Sequence, residues 1–330
     1  MASKVNYGNA LLQGFEYLLS NYPEVFVIGQ GLWSPWYVGS SMTDLEKKFG
    51  KDRVIDTPVS EQACTGTAIG ASLAGYKPVV VHPRIDFMLL AVDQIVNQAA
   101  KWHHMLGGSA SPAVTIRGII NRGGEQGAQH SQALHSWFAH VPGLRVVVPA
   151  TPADARDLLI SSVLCESPVL FIDDRWLYEQ EEEIGKVVEV PLEDVDSAIR
   201  VEGGDITLVA SGYSVLQAME AAEAMRQDKI AAEVIDLRVL NPVNWEKAVS
   251  SVEKTGHLLA IDGGWTNCGM AAEIIAAVSE RIDRKTLRAA PARVTLTDSP
   301  APTSGPLEEL YYTKTQEIVS RALRMLGAQH

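Results

Sequence analysis

Asp56-Thr-Pro-Val-Ser-Glu-Gln-Ala-Cys-Thr-Gly-Thr-Ala-Ile-Gly-Ala-Ser-Leu-Ala-Gly75 reads as a helix with an acid at its mouth. Ser60 is placed to cap the first turn and Gly75 to stop the last, with Pro78 soon after. Between them Ala63, Gly66, Thr67, Gly70, Ala71 and Ala74 recur at helical spacing, and all are small. So bare a face lets another backbone approach closely, which predicts packing on a second helix, of this chain or another. Glu61, in the first turn, then lies near an interface and away from bulk water. Two readings of it stay open on this stretch alone. A carboxylate taken out of water suits proton traffic. One left in water only complements the helix dipole.

Strands and helices alternate on either side. Helices are expected at 7–20, 86–106, about 131–139 and 152–165, and strands at 25–28, 54–55, 79–82, 114–119, 145–148 and 169–172. That rhythm predicts a parallel sheet with helices on both faces. The acidic stretch 181–204, with Pro191 and Gly203-Gly204, interrupts it and reads as a linker. A second α/β run follows, with strands at 207–210, 232–235, 258–261 and 293–297. The fold class is therefore α/β, with two domains, each a mainly parallel sheet flanked by helices. Their expected bounds are 1–180 and 205–330. A length of 330 residues suits two domains.

Composition narrows the function. The formal charge of −12 argues against nucleic acid and anionic membranes as partners. No apolar run is long enough to span a bilayer, and the first twenty residues read as an amphipathic helix rather than a signal peptide. Cys64, Cys165 and Cys268 stand apart, without zinc-like spacing, so no metal site is expected and a reducing cytoplasm is the simple location. Dinucleotide, Walker and nucleophile-elbow glycine motifs are missing, as is a Gly-Asp-Gly for a magnesium diphosphate. The candidates left are Glu61 and His130, the latter closing the glycine-rich loop 121–129. A loop histidine at the edge of a parallel sheet can do acid–base work, or can simply bond its own loop. His135 and His140 read as structural, and His103-His104 as surface or interface residues.

Together the motifs are specific. Ile-Asp-Thr-Pro-x-Ser-Glu at 55–61 is followed by Gly-Thr-Ala-Ile-Gly-Ala, then by Asp86-Phe87 and Ala-Val-Asp-Gln-Ile-Val-Asn-Gln-Ala-Ala-Lys. Gln-His-Ser-Gln at 129–132 leads to Phe-Ala-His-Val-Pro-Gly-Leu-Arg-Val-Val-Val-Pro, and later come Ile-Asp-Leu-Arg-Val-Leu-Asn-Pro at 235–242 and Ser-Val-Glu-Lys-Thr-Gly at 251–256. From about residue 5 to 325 the chain resembles the β subunit of the thiamine-diphosphate-dependent decarboxylating component of 2-oxo acid dehydrogenases (pyruvate, branched-chain and acetoin types). Its first half also resembles the pyrimidine-binding domain of transketolases, and its second their C-terminal domain.

The resemblance implies a cofactor shared with an α subunit that holds Mg2+ and the diphosphate, in an α2β2 assembly. Glu61 matches the glutamate that bonds the aminopyrimidine and promotes loss of the thiazolium C2 proton. Phe87 matches the aromatic that packs on that ring, with Val59 and Pro83 at neighbouring contacts. His130 matches the histidine facing substrate or acyl acceptor. The implied activity is decarboxylation of a 2-oxo acid with acyl transfer to a lipoyl carrier on an acyltransferase partner. Two alternatives are a split transketolase-like or acyloin-forming carboligase, and a non-catalytic scaffold.

Three departures bear on this. Gly29-Gln30-Gly31 stands where the family carries Gly-Glu-Asp, so an acid is lost. His82 and Arg84 replace apolar or amide residues and become candidate substrate contacts. Arg84 fits either a bidentate carboxylate or phosphate contact or a plain surface position. Cys165 and Ser167 replace the Asp and Asn of a potassium site, which leaves K+ open.

Overall fold

In the computed structural model, which describes residues 3–34 and 36–327, the apolar runs become the strands of two mainly parallel sheets. Two compact units result. The first holds residues up to 122 together with 137–195, and the second holds 123–136 with 196–330.

The first unit contains β1 (Ser3–Asn6), β2 (Val25–Gln30), β3 (Val54–Thr57), β4 (Lys77–His82), β5 (Thr115–Ile120), β6 (Arg145–Val147), β7 (Val169–Asp174) and β8 (Glu181–Ile184). Its main sheet runs β6-β7-β5-β4-β2-β3, every neighbouring pair parallel. Every residue of β5 and β7 is buried, as expected where helices cover both faces. The helix Tyr7–Asn21 buries Leu11, Phe15 and Leu18 at helical spacing. It packs on the helix Pro152–Leu164, and a Cβ on Gly14 would come to 3.2 Å from Leu159 Cδ2. Thr151 starts that second helix by accepting from Asp154 N at 3.3 Å, a cap that contributes about 1 kcal/mol.

One strand carries a charge through the core. Arg117 of β5 is fully buried, and its Nε and Nη2 donate to the two oxygens of Asp173 on β7, each at 2.9 Å. Nη2 also donates to Ser41 Oγ (3.0 Å) and the Tyr178 hydroxyl (2.8 Å), which itself donates to Asp173 (2.6 Å). Burial alone would lower the Arg117 pKa, but Asp173 outweighs it and holds the guanidinium above its usual range.

The organising helix forms at Glu61–Leu73. Gly75 takes φ +96° just past its end, the stop that Gly is suited to give. Ser60 makes no side-chain cap bond, so the expected N-cap is not formed. Ala63, Gly66, Thr67, Gly70 and Ala74 are exposed in this chain, and a Cβ on Gly70 would meet nothing within 4 Å.

The single helix expected over 86–106 is a succession of turns of different pitch. Helical turns at Ile85–Met88 and Leu89–Ala91 (the second 3-10) lead into a π-helical run Gln94–Ala99 and the α-helix Ala100–Met105. An apolar periodicity records which face is buried and is nearly blind to such changes of pitch. The helix expected near 131 begins only at His135. Within 181–204, β8 pairs antiparallel with β1, and β9 (Ala198–Val201) also forms. β8 is exposed except at Ile184 and half-buried Glu182, so its acids hid a strand that is mostly solvated.

In the second unit, β9 is followed by β10 (Ile206–Ala210), β11 (Ala232–Asp236), the short β12 (Val239–Asn241), β13 (Leu258–Trp265) and β14 (Ala292–Leu296). The sheet order is β14-β13-β10-β11-β9, parallel except for β9 at its edge. Helices Tyr213–Arg226, Glu246–Thr255, Met270–Ser279, Gly305–Tyr311 and Thr315–Met325 alternate with or follow these strands. Among the described residues no helix is long and apolar enough to cross a membrane.

Candidate active site

Three adjacent strands of the first unit, β3, β2 and β4, deliver the site at their carboxyl ends, where open parallel sheets bind ligands. β3 ends at Thr57 and, after Pro58-Val59-Ser60, the chain enters the helix with Glu61 as its first residue. Glu61 is 8 % exposed, and among the described residues no hydrogen bond or ion pair reaches its carboxylate. The residue is mostly buried but its carboxylate oxygens keep an open side, so the acid is placed to take a donor from outside the chain. The cavity bounded by Gly29, Gln30, Ser60, Glu61, Cys64 and His82 has a volume of about 10 Å3, which leaves the protein side of the acid filled.

The turn that carries Glu61 is held from below. Thr65 Oγ1 donates to the Glu61 carbonyl (2.8 Å) and lies 3.1 Å from His82 Nε2. A hydroxyl has one proton, so with it committed to the carbonyl the oxygen accepts from His82, whose proton then sits on Nε2. Burial pushes the His82 pKa down to about 4, which keeps this ring neutral near pH 7. His82 is 3 % exposed, a supporting residue under the helix mouth.

β4 continues through buried Pro83 and half-buried Arg84 into the turn that presents half-buried Phe87. Burial pulls the Arg84 guanidinium below its usual range, with Asp86 and Tyr37 acting in the opposite sense and Arg175 adding repulsion. Arg175 donates through Nη2 to the Tyr37 carbonyl at 2.7 Å, and its buried Nε has no acceptor among the described residues. Beside these residues, Gln30, Trp33, Tyr37, Asp56 and the 73 % exposed Val59 line a cleft of about 490 Å3. The Gln30 amide donates to the Tyr37 hydroxyl (2.9 Å), and Asp56 Oδ1 accepts from Gly31 N (2.6 Å) and Leu32 N (3.3 Å). Trp33 is tied by its indole N–H to Val54 O (2.9 Å) under Lys51.

The first unit thus brings Val59, Glu61, His82, Pro83, Arg84 and Phe87 to one sheet edge. His130 is half-buried and belongs to the segment 123–136, which packs within the second unit. Its backbone N–H donates to Gly127 O at 3.3 Å. Reading the sequence missed Thr65 and the pairing of Tyr37 with Arg175. Thr65 had a signal, since it lies one helical turn after Glu61 on the same face. The other two are joined by a contact across 138 positions that no local pattern announces. Cys165 and Ser167 line a separate cleft of about 490 Å3 with Glu166, Glu189 and Glu193. Among the described residues no three His, Cys, Asp or Glu side chains gather as a metal site.

A mostly buried acid with no bonded partner among the described residues, half-buried Phe87 on the same sheet edge and exposed apolar surface at Val59 suit a flat ring that brings its own donor. Comparison with known proteins bears on the same point. Residues 3–180 match the family model of the transketolase pyrimidine-binding domain, and residues 196–318 that of the transketolase C-terminal domain. The β subunit of acetoin:2,6-dichlorophenolindophenol oxidoreductase from Cupriavidus necator is 35% identical over 347 residues, covering 100% of both chains. The mitochondrial pyruvate dehydrogenase E1 component β subunit of Dictyostelium discoideum is 34% identical over 98% of this chain and 91% of its own length. Among solved structures, a split-gene transketolase in an inactive β4 tetramer superposes with a TM-score of 0.74 at 23% identity, covering 98% of this chain and 97% of that one. That last likeness concerns the fold.

Proposed function

This chain belongs to the transketolase-like family of dehydrogenase β subunits, and from that premise we propose that it is the β half of a two-component thiamine-diphosphate enzyme acting on a 2-oxo acid. The observation that carries the reading is Glu61, 8 % exposed at the mouth of the sheet, with no bond to its carboxylate among the described residues. When bound, thiamine diphosphate supplies the electron sink for breaking the carbon–carbon bond beside a carbonyl. Glu61 holds or releases a proton at the aminopyrimidine ring nitrogen. Phe87, Val59 and Pro83 give that ring apolar contact. His130 holds a proton for substrate or acyl acceptor, and Arg84 binds an anionic group on one of them. His82 serves beneath this surface, through Thr65.

The rest of the assembly belongs to the same proposal. An α subunit contributes the Mg2+ and diphosphate site in an α2β2 complex, and a lipoyl acyltransferase takes the acyl unit in the cytoplasm. No K+ is assigned, since Cys165 and Ser167 offer a thiol and a hydroxyl in place of harder oxygen ligands. One observation favours the second reading, an acyloin-forming or split transketolase-like carboligase. Arg84 and Arg175 both approach Tyr37 beside the cleft, which suits an anionic acceptor better than a lipoyl arm.

Calorimetric titration of thiamine diphosphate with Mg2+ tests the reading, on the chain alone and on the complex co-expressed with its α partner. Tight binding is expected only in the complex. Tight binding to the isolated chain would overturn the shared site, and none in either would leave a scaffold. Glu61→Ala is expected to abolish C2-proton exchange of the bound cofactor with assembly intact. Turnover that needs a lipoyl carrier separates the dehydrogenase from the carboligase.

A further inference from the structure

The segment 123–136 leaves β5 on the first unit, carries His130, and is fastened at both ends to the second. At its start Gly123 N donates to the Tyr312 hydroxyl (3.4 Å) and Glu125 N to Glu308 Oε2 (2.9 Å), while Glu125 Oε1 accepts from Gly305 N (2.6 Å). Glu125 takes φ +58°, a left-handed conformation that a non-glycine residue keeps only where its surroundings enforce it. A Cβ on Gly127 would come within 2.4 Å of the Thr303 methyl, so the loop lies flat against that residue.

At the other end His135 Nε2 meets Asp262 Oδ1 at 2.8 Å, the two residues 5 % and 3 % exposed. Asp262 sits in β13 and is itself fixed, accepting from Gly264 N (2.8 Å) and Ala271 N (3.2 Å). Burial would raise its carboxyl, but His135 and the two amides outweigh that and hold it below the usual carboxylate range. Buried polar pairs add little net stability over well-packed apolar residues, and their best-attested use is to fix register. Here the fixed element is the stretch Ser131–Leu134 that ends at His135.

We infer that His135 and Asp262 are positioning residues for His130: their pair pins the loop to the second unit and so sets where the His130 side chain stands. This rests on the proposed role of His130. The second unit, which carries none of the residues at the first unit's sheet edge, thereby governs the placing of one functional group, with the His135–Asp262 pair as the contact nearest its far end.

The test uses the co-expressed complex with His135→Gln and Asp262→Asn. Amide exchange across 123–134 is expected to rise by roughly tenfold or more, with melting and assembly unchanged. Carbethoxylation of His130, followed by peptide mass spectrometry, is expected to speed up severalfold. With pyruvate and 2,6-dichlorophenolindophenol as probes, kcat should fall roughly 10- to 100-fold while KM stays nearly constant. In a His130→Ala background His135→Gln should cause no further loss. Unchanged exchange and unchanged carbethoxylation would overturn the inference, as would full additivity with His130→Ala. Should His130→Ala alone leave turnover intact, the proposed role of His130 fails, while exchange and carbethoxylation still decide whether the pair pins the loop.

Discussion

Arg117 and Glu61 are both charged groups withdrawn from water in the first unit, and the fold treats them in opposite ways. Arg117 lies inside the sheet with a carboxylate, a hydroxyl and a phenol arranged around it. Glu61 lies at the sheet's edge, 8 % exposed where Arg117 is fully enclosed, and among the described residues nothing is bonded to its carboxylate. A buried charge whose partners all come from the chain serves the fold. One left without them costs stability that only a ligand can return.

The contrast breaks most visibly at Arg117. Arg117→Ala leaves Asp173 buried and uncompensated, so urea unfolding should show a loss of about 3–5 kcal/mol. A loss under about 1 kcal/mol would mean the network is ornamental. Glu61→Gln should do the reverse. Stability stays within about 1 kcal/mol of the parent or rises, while turnover of the complex falls by roughly 100- to 10,000-fold. A variant that unfolds but turns over normally would place Glu61 in the same class as Arg117.

His82 sharpens the comparison because it is a buried base that stays neutral. Its pKa is about 4 in the folded chain against an ordinary 6.5, so between those values the unfolded chain takes up a proton that the folded one refuses. The stability from its neutrality is complete above about pH 6.5. Up to roughly 3 kcal/mol of it is lost as the pH falls through about 4. Unfolding of the parent and of His82→Gln at neutral pH and at about pH 4.5 measures this, and parallel losses would assign the acid sensitivity elsewhere. The smallest effect is expected from Thr65→Val, which removes the hydroxyl between His82 and the Glu61 carbonyl. It should cost about 1 kcal/mol. Any larger fall in turnover than in stability would show that the hydroxyl holds the first turn in its working geometry.

How much could be read beforehand follows from the same division. The strands around Val79–Val81 and Val169–Ile172 were legible because a sheet covered on both faces demands unbroken apolar runs. Glu61 and Gly75 were legible because helix ends carry local chemistry. Of the site, Glu61, Phe87 and the 82–84 corner are neighbours in the chain or one strand apart. The pitch changes across 85–105 left the apolar period intact and so left no trace. The attachment of 123–136 to the second unit was invisible for another reason. It depends on Glu125 with Glu308 and His135 with Asp262, partners separated by 183 and 127 positions.

Those separations also order events during synthesis. A ribosome releases residues 123–136 well before Asp262, Gly305, Glu308 and Tyr312 exist, so the segment that carries His130 has nothing to close on while the strands up to β7 are already able to pair. A nascent chain can therefore have strands β2 to β7 ready to pair and still lack the loop's final shape, which waits for Glu308 and Tyr312 to emerge.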